Sequence, residues 1–196
     1  MMTQDQTRRR FLLATGTLAA AELGFDAHAQ ELPPTPACHD GDEPTVRQTE
    51  GPFFKPRSPE RSDLIESGSR GATVELTGLV LTRRCQPLAG ALIDLWQADD
   101  KGDYDNSGFR FRGHQFTDAN GRYRFRTIKP ARYTGRARHF HVKVQPSGGR
   151  ILTTQLYFPG EAGNRRDPLF RSELLMNVAQ AGNGEAARFD FVLDIR

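Results

Sequence analysis

The sequence predicts an all-β protein: a β-sandwich of short strands with long functional loops and one short helix. Three observations carry that expectation. Short alternating runs rich in β-branched and aromatic residues recur from residue 73 onward, separated by turn-forming residues. Only "PLFRSELLMNV" (168–178) has a helical pattern, and it is brief. Prolines at 33, 34, 36, 44, 52, 56 and 59 keep long helices out of the segment ahead of the first strand. Six or more short strands with almost no helix point to a sandwich.

In chain order, residues 1–29 read as an export signal. A basic start containing "TRRRFL" leads into a modestly apolar stretch from Phe11, and "AHA" ends at Ala29 as a small-residue cleavage site. The paired arginines, the weak apolar region and the acidic Glu22 and Asp26 resemble a twin-arginine signal, the type read by a route that exports folded proteins. The expected location is therefore periplasmic or extracellular. Residues 30–70 form an extended Pro-rich arm, and Phe53 and Phe54 in "TEGPFFKP" are too apolar for a free linker, so the arm is expected to dock on the core. Residues 71–196 form the sandwich, with strands expected at 73–81, 91–98, 121–128, 139–146, 151–158 and 188–195. Between them, residues 99–120 make a long connection without clear strand periodicity, rich in Asp, Gly and Asn. Loops of that length in a compact domain are usually functional or disordered.

The net charge is +3, and it stays +3 without residues 1–29, which hold three basic and three acidic side chains. The arginines are scattered, which gives no nucleic-acid footprint, and the mature stretch has no membrane segment. Cys38 and Cys85 are the only cysteines. An even number in an exported chain suggests one disulfide, tying the arm to the turn after the first strand; two unpaired thiols are the other reading.

The chemistry is concentrated in "RARHFHVKV" (136–144). On a strand, Phe140, Val142 and Val144 face one way and His139, His141 and Lys143 the other. The two imidazoles then start about 7 Å apart along the backbone, close enough to converge on one ion. A half-buried strand showing its polar face to water fits the same pattern. His39 and His114 have no spacing that draws them to the pair. Tyr104, at the mouth of the long loop, and Tyr133, six and eight residues ahead of the histidines, add phenols, while Tyr123 and Tyr157 read as structural aromatics. A phenolate is a hard anionic ligand that suits a ferric ion.

These residues resemble the intradiol ring-cleavage dioxygenase family, relatives of catechol and protocatechuate dioxygenases. The match is carried by "LTGLVLTRRCQPLAGALIDLWQADDKGDY" (76–104), "RGHQFTDANGRYRFRTIKPARYTGRARHFHVKV" (112–144) and "TEGPFF" (49–54). It departs at Cys85, where Gly or Ser is usual. The resemblance implies a non-haem Fe(III), one per chain, held by Tyr104, Tyr133, His139 and His141. It implies Arg136 as the active-site arginine and Gln155 as a polar residue of the pocket. The expected activity is that of an oxidoreductase cleaving a small aromatic diol with O2 between its hydroxylated carbons to a cis,cis-muconate-type diacid, with Tyr133 as the ligand that leaves and takes a proton. The mature length resembles the protocatechuate-type chains or the exported single-domain relatives.

Two other readings predict different outcomes. An Fe(II) extradiol or cupin-like oxygenase would use His139, His141 and a carboxylate and cleave beside the diol. An exported, non-catalytic β-sandwich binding module would hold no iron.

Overall fold

The computed structural model describes Cys38 and residues 43–196. The signal stretch 1–29, most of the first third of the arm and His39 lie outside the described residues.

Among the described residues, nine strands make two sheets: β1 (Thr73–Thr82), β2 (Leu92–Trp96), β3 (Arg112–Phe116), β4 (Arg122–Ile128), β5 (His139–Gln145), β6 (Leu152–Tyr157), β7 (Asn177–Ala181), β8 (Gly184–Arg188) and β9 (Phe191–Leu193). One sheet runs β4-β1-β8-β7 with β9 also on β1; the other runs β3-β2-β5-β6. The sandwich core lies between them. Val74, Leu76, Tyr123 and Phe125 from the first sheet meet Ile93, Leu95, Phe140, Val142 and Leu156 from the second. Alternation along each strand sends these side chains to one face, and their burial drives the two sheets together.

The six expected strands all appear, β9 shortened to three residues. The stretch 168–178 forms no α-helix: its helical part is a single 3-10 turn at Ser172–Leu174, after which the chain enters β7. Leu174 and Met176 are buried at a spacing of two, and Met176 donates to Tyr157 O, so packing beside β6 wins over helical propensity. Part of the long connection also forms a strand, β3, at the sheet edge.

From residue 43 the chain runs along the sandwich and across its four-stranded sheet. Thr45 N donates to Val192 O (2.8 Å), and Gln48 N donates to Thr153 O (2.8 Å) at the β6 edge. Arg61 N donates to His114 O (2.9 Å) at the opposite, β3 edge. Residues 49–60 therefore span the sheet's outer face. Cys38 is joined to Cys85 by a disulfide, Cα to Cα 5.7 Å. Cys85 adopts φ 58°, in the left-handed region that glycine favours.

Candidate metal centre

Pairing register builds the site on that outer face. Arg112, Trp96, His141 and Gln155 are direct cross-strand partners on β3, β2, β5 and β6, so they form one transverse row. His139 pairs with Tyr157 in the next row of the same face. The imidazoles thus point away from the apolar core, yet not into water: His139 and His141 are 4% and 3% exposed because the arm covers them. Gly51 sits directly over His141. A Cβ there would lie 3.3 Å from His141 Cε1, and φ is +73°, so both the space and the backbone call for glycine.

The two Nε2 atoms are 3.1 Å apart. His139 Nδ1 lies 2.7 Å from Ala137 O, an acceptor only, so Nδ1 carries the hydrogen and Nε2 has its lone pair free. His141 stacks its ring on Trp96 (centroids 4.9 Å, 9° between planes), and its Nδ1 is buried without a partner. Burial holds His139 down to about 4, and burial together with His139 and Arg136 holds His141 well below its ordinary value. Both rings are neutral at neutral pH, the form that binds metal.

Tyr104 Oη stands 3.3 Å from His139 Nε2. Burial pushes this phenol up, against a smaller opposing pull from Arg136 and Arg112. Its ring stacks on Phe53 at 4.5 Å, and the Tyr133 ring is 6.0 Å away, edge-on to both Phe53 and Tyr104. The two phenol-bearing segments meet at Gly102, with φ +95°, where a Cβ would fall 2.6 Å from Arg132 O. Two imidazoles and Tyr104 Oη therefore share one small volume, with Tyr133 beside it. Among the described residues no group of three His, Cys, Asp or Glu side chains converges. The meeting of two imidazole nitrogens and a phenol oxygen fits a cation bound by nitrogen and phenolate oxygen. A cation at the Nε2 pair would also let both rings take the Nδ1–H form, removing the need for one imidazole to donate to the other.

Arg136 is fixed rather than mobile. Its Nε donates to Asp167 Oδ1 and Oδ2 (3.0 and 2.9 Å), and Nη2 donates to Gln155 Oε1 and, at 3.3 Å, to Tyr157 Oη. Asp167 also accepts from Ala137 N (2.8 Å). Gln155 Nε2 donates to Thr49 O (3.0 Å), which ties the arm to the row of His141. Tyr157 Oη lies 2.9, 3.0 and 3.2 Å from Gln48 Oε1, Gln155 Oε1 and Leu169 O, and burial pushes its phenol up to about 12.

The sequence reading brought forward Tyr104, Tyr133, Arg136, His139, His141 and Gln155, and all six lie in this one neighbourhood. It missed Asp167, and it treated Tyr157 as merely structural. Tyr157 follows Gln155 by two on β6, so strand alternation was the signal that could have found it. His114 belongs elsewhere: its Nδ1 faces Ser58 Oγ at 3.1 Å, and that hydroxyl donates to the buried Asp94 (2.9 Å), one row along.

A family model described as Dioxygenase matches residues 49–195. The chain is 31% identical over 63% of its length to the protocatechuate 3,4-dioxygenase beta chain of Burkholderia cepacia. It is 30% identical over 87% of its length to the catechol 1,2-dioxygenase of Acinetobacter baylyi. It spans 65% of the length of each of these relatives. Among solved structures, the dioxygenase domain of a dioxygenase carbohydrate-binding protein fusion from Streptomyces sp. SirexAA-E superposes with a TM-score of 0.77 at 55% identity. That match covers 79% of this chain and all of that one.

Proposed function

The chain belongs to the intradiol ring-cleaving dioxygenase family, and from that premise we propose that it cleaves a catechol-type diol with O2 between the two hydroxylated carbons, giving a cis,cis-muconate-type diacid. The observation that carries this reading is the meeting of His139 Nε2, His141 Nε2 and Tyr104 Oη on one covered sheet face, with Tyr133 alongside. Tyr104, Tyr133, His139 and His141 would hold one non-haem Fe(III). The chemistry such an ion supplies is Lewis acidity, which neutralises phenolate charge and polarises a bound catecholate for attack by O2 at a ring carbon.

The remaining work falls to side chains of this protein. Tyr133 lies on the segment 129–138, outside any strand, where Arg136 N closes a turn onto its carbonyl and Gly135 has φ +73°. Its Oη is the proposed acceptor of a proton from the incoming diol: the turn carrying Tyr133 can shift, whereas the β5 ladder holds His139 and His141 and the turns closed by Asp99 and Asp105 hold the loop of Tyr104. Arg136, braced by Asp167, Gln155 and Tyr157, would stabilise negative charge on the bound ring with a planar guanidinium that needs no reorganisation. Phe53 and the arm exclude water from the imidazoles. Export is part of the proposal, by the twin-arginine route; the Cys38–Cys85 disulfide supports it, since such bonds persist in oxidising compartments.

The test is product analysis with catechol under labelled O2. A ring-opened diacid carrying both oxygen atoms supports intradiol cleavage. A semialdehyde from cleavage beside the diol, or no turnover by iron-loaded protein across catechol, protocatechuate and hydroxyquinol, removes the proposal.

A further inference from the structure

Arg112 is 1% exposed, at the start of β3, in the same transverse row as His141. A buried guanidinium is costly unless its donors are used. Here, among the described residues, no carboxylate is hydrogen-bonded to it. Nε donates to Asp105 O (3.0 Å) and Nη1 to Phe53 O (2.6 Å), while Nη2 is buried without an acceptor.

Those two carbonyls belong to different parts of the chain. Phe53 is on the arm, and its ring stacks on Tyr104. Asp105 directly follows Tyr104 in the connection between β2 and β3, a stretch with no strand of its own. One rigid fork therefore grips the backbone just past Tyr104, at Asp105 O, and the backbone that carries its stacking partner, at Phe53 O. Arg112 is itself anchored: Arg61 Nε donates to Arg112 O (3.0 Å), and Arg112 N donates to Phe109 O (3.2 Å). His139 and His141 are placed by a strand ladder, whereas Tyr104 has no ladder to place it. The local turns closed by Asp99 and Asp105 hold the loop on itself, and the Arg112 fork adds the tie to the arm and the sheet.

We propose that Arg112 is a positioning residue for Tyr104, fixing the phenol oxygen against the Nε2 pair by bridging Phe53 O and Asp105 O. This rests on the reading of Tyr104 as a metal ligand. Arg112 does not touch the reacting groups; it acts through the loop and the arm. Lys cannot replace it, because a single ammonium on a flexible stem does not hold two carbonyls in one plane.

The experiment compares wild type, Arg112→Lys and Arg112→Gln, each purified and loaded with ferric iron. It reads chelator competition for iron, the tyrosinate-to-iron absorption band, and kcat and KM for catechol. The metal-free proteins are compared by near-ultraviolet circular dichroism of the Phe53–Tyr104 pair. Both variants are expected to lose about 10- to 100-fold in iron affinity, the usual effect of removing a group that orients a ligand. Their bands should shift, kcat should fall while KM changes little, and the aromatic dichroism should weaken without metal. In a Tyr104→Phe background, Arg112→Gln should then cost little further iron affinity, since the ligand it positions is gone.

Variants with the wild-type band and affinity overturn the proposal. So does full rescue by Lys, which would assign the role to charge alone, and so do strictly additive losses in the double variant. If Arg112→Gln fails to fold, Arg112→Lys, which keeps the buried charge and loses the planar fork, is read in its place: a shifted band supports positioning and a wild-type band overturns it. A wild type that binds no iron refutes the ligand reading itself. An iron-loaded wild type with indifferent variants refutes only the role of Arg112.

Discussion

The two faces of the four-stranded sheet share every backbone hydrogen bond and differ in everything else. On β5, Phe140, Val142 and Val144 point into the sandwich, while His139, His141 and Lys143 point outward under the arm. The first face is buried by a second sheet, which rewards apolar area and dense packing. The second is buried by residues 49–60, an irregular segment that must satisfy polar groups one at a time. Gln155 is answered by Thr49 O, Arg112 by Phe53 O, and Lys143 by Glu50 and the Phe54 ring. A sheet covered in this way has a stabilising side and a chemical side, and substitutions of adjacent residues should divide accordingly.

The sharpest test of that division is a pair of neighbours. Phe140→Ala, at a fully buried site against Phe158, should cost about 3–5 kcal/mol in thermal or denaturant unfolding. His141→Ala should leave the metal-free protein nearly as stable as wild type, yet lower iron affinity by at least about 100-fold, beyond the effect of losing an orienting neighbour. Equal losses of stability from both would break the comparison.

The next effect is pH dependence. With His139 held at about 4 in the folded protein and His141 lowered too, the unfolded chain, with histidines near 6.5, binds more protons between those values. Stability of the metal-free protein is therefore complete above about pH 6.5 and declines as pH falls toward 4. His139 alone accounts for about 3 kcal/mol of that decline, and His141 acts in the same direction. Denaturant titrations of metal-free protein across this range measure it, and His139→Gln should flatten the slope. Bound metal should delay the loss, since it favours the unprotonated rings.

Smaller still is Tyr123→Phe. This phenol is buried in the core and donates to Phe189 O (2.6 Å), so its removal should cost about 1 kcal/mol and leave iron binding untouched. An altered iron spectrum would show that the two faces are coupled through the sheet.

Legibility in the sequence follows the same divide. The core face was readable because alternation of Leu, Ile, Val and Phe announces burial locally, as in β1 and β5. β3 was not, because "RGHQF" has no apolar periodicity; it is held at the edge by β2 and by the arm. The β7–β8 hairpin was hidden by alanines of low strand propensity, and its place is set by parallel pairing of β8 with β1, more than a hundred residues away in sequence. At the site, His139 and His141 stood out through their spacing, Tyr104 and Tyr133 through their places at the mouth of the long loop and just ahead of the histidines, and Arg136 and Gln155 through family resemblance. Asp167 and Arg112 reach the site through partners distant in sequence, Asp167 through Arg136 and Arg112 through Phe53 O, so no local pattern marked them. The strand's histidine face, readable as facing water, is covered by an arm whose docking was signalled only by Phe53 and Phe54.

The most direct measurement of the central claim, that two phenols and two imidazoles on the outer face hold one ferric ion, is an iron assay with an absorption spectrum of purified protein, before and after anaerobic catechol. The account predicts one iron per chain, a visible tyrosinate-to-iron band, and a shift of that band to longer wavelength with catechol. A protein that stays colourless and takes up no iron on reconstitution would contradict it.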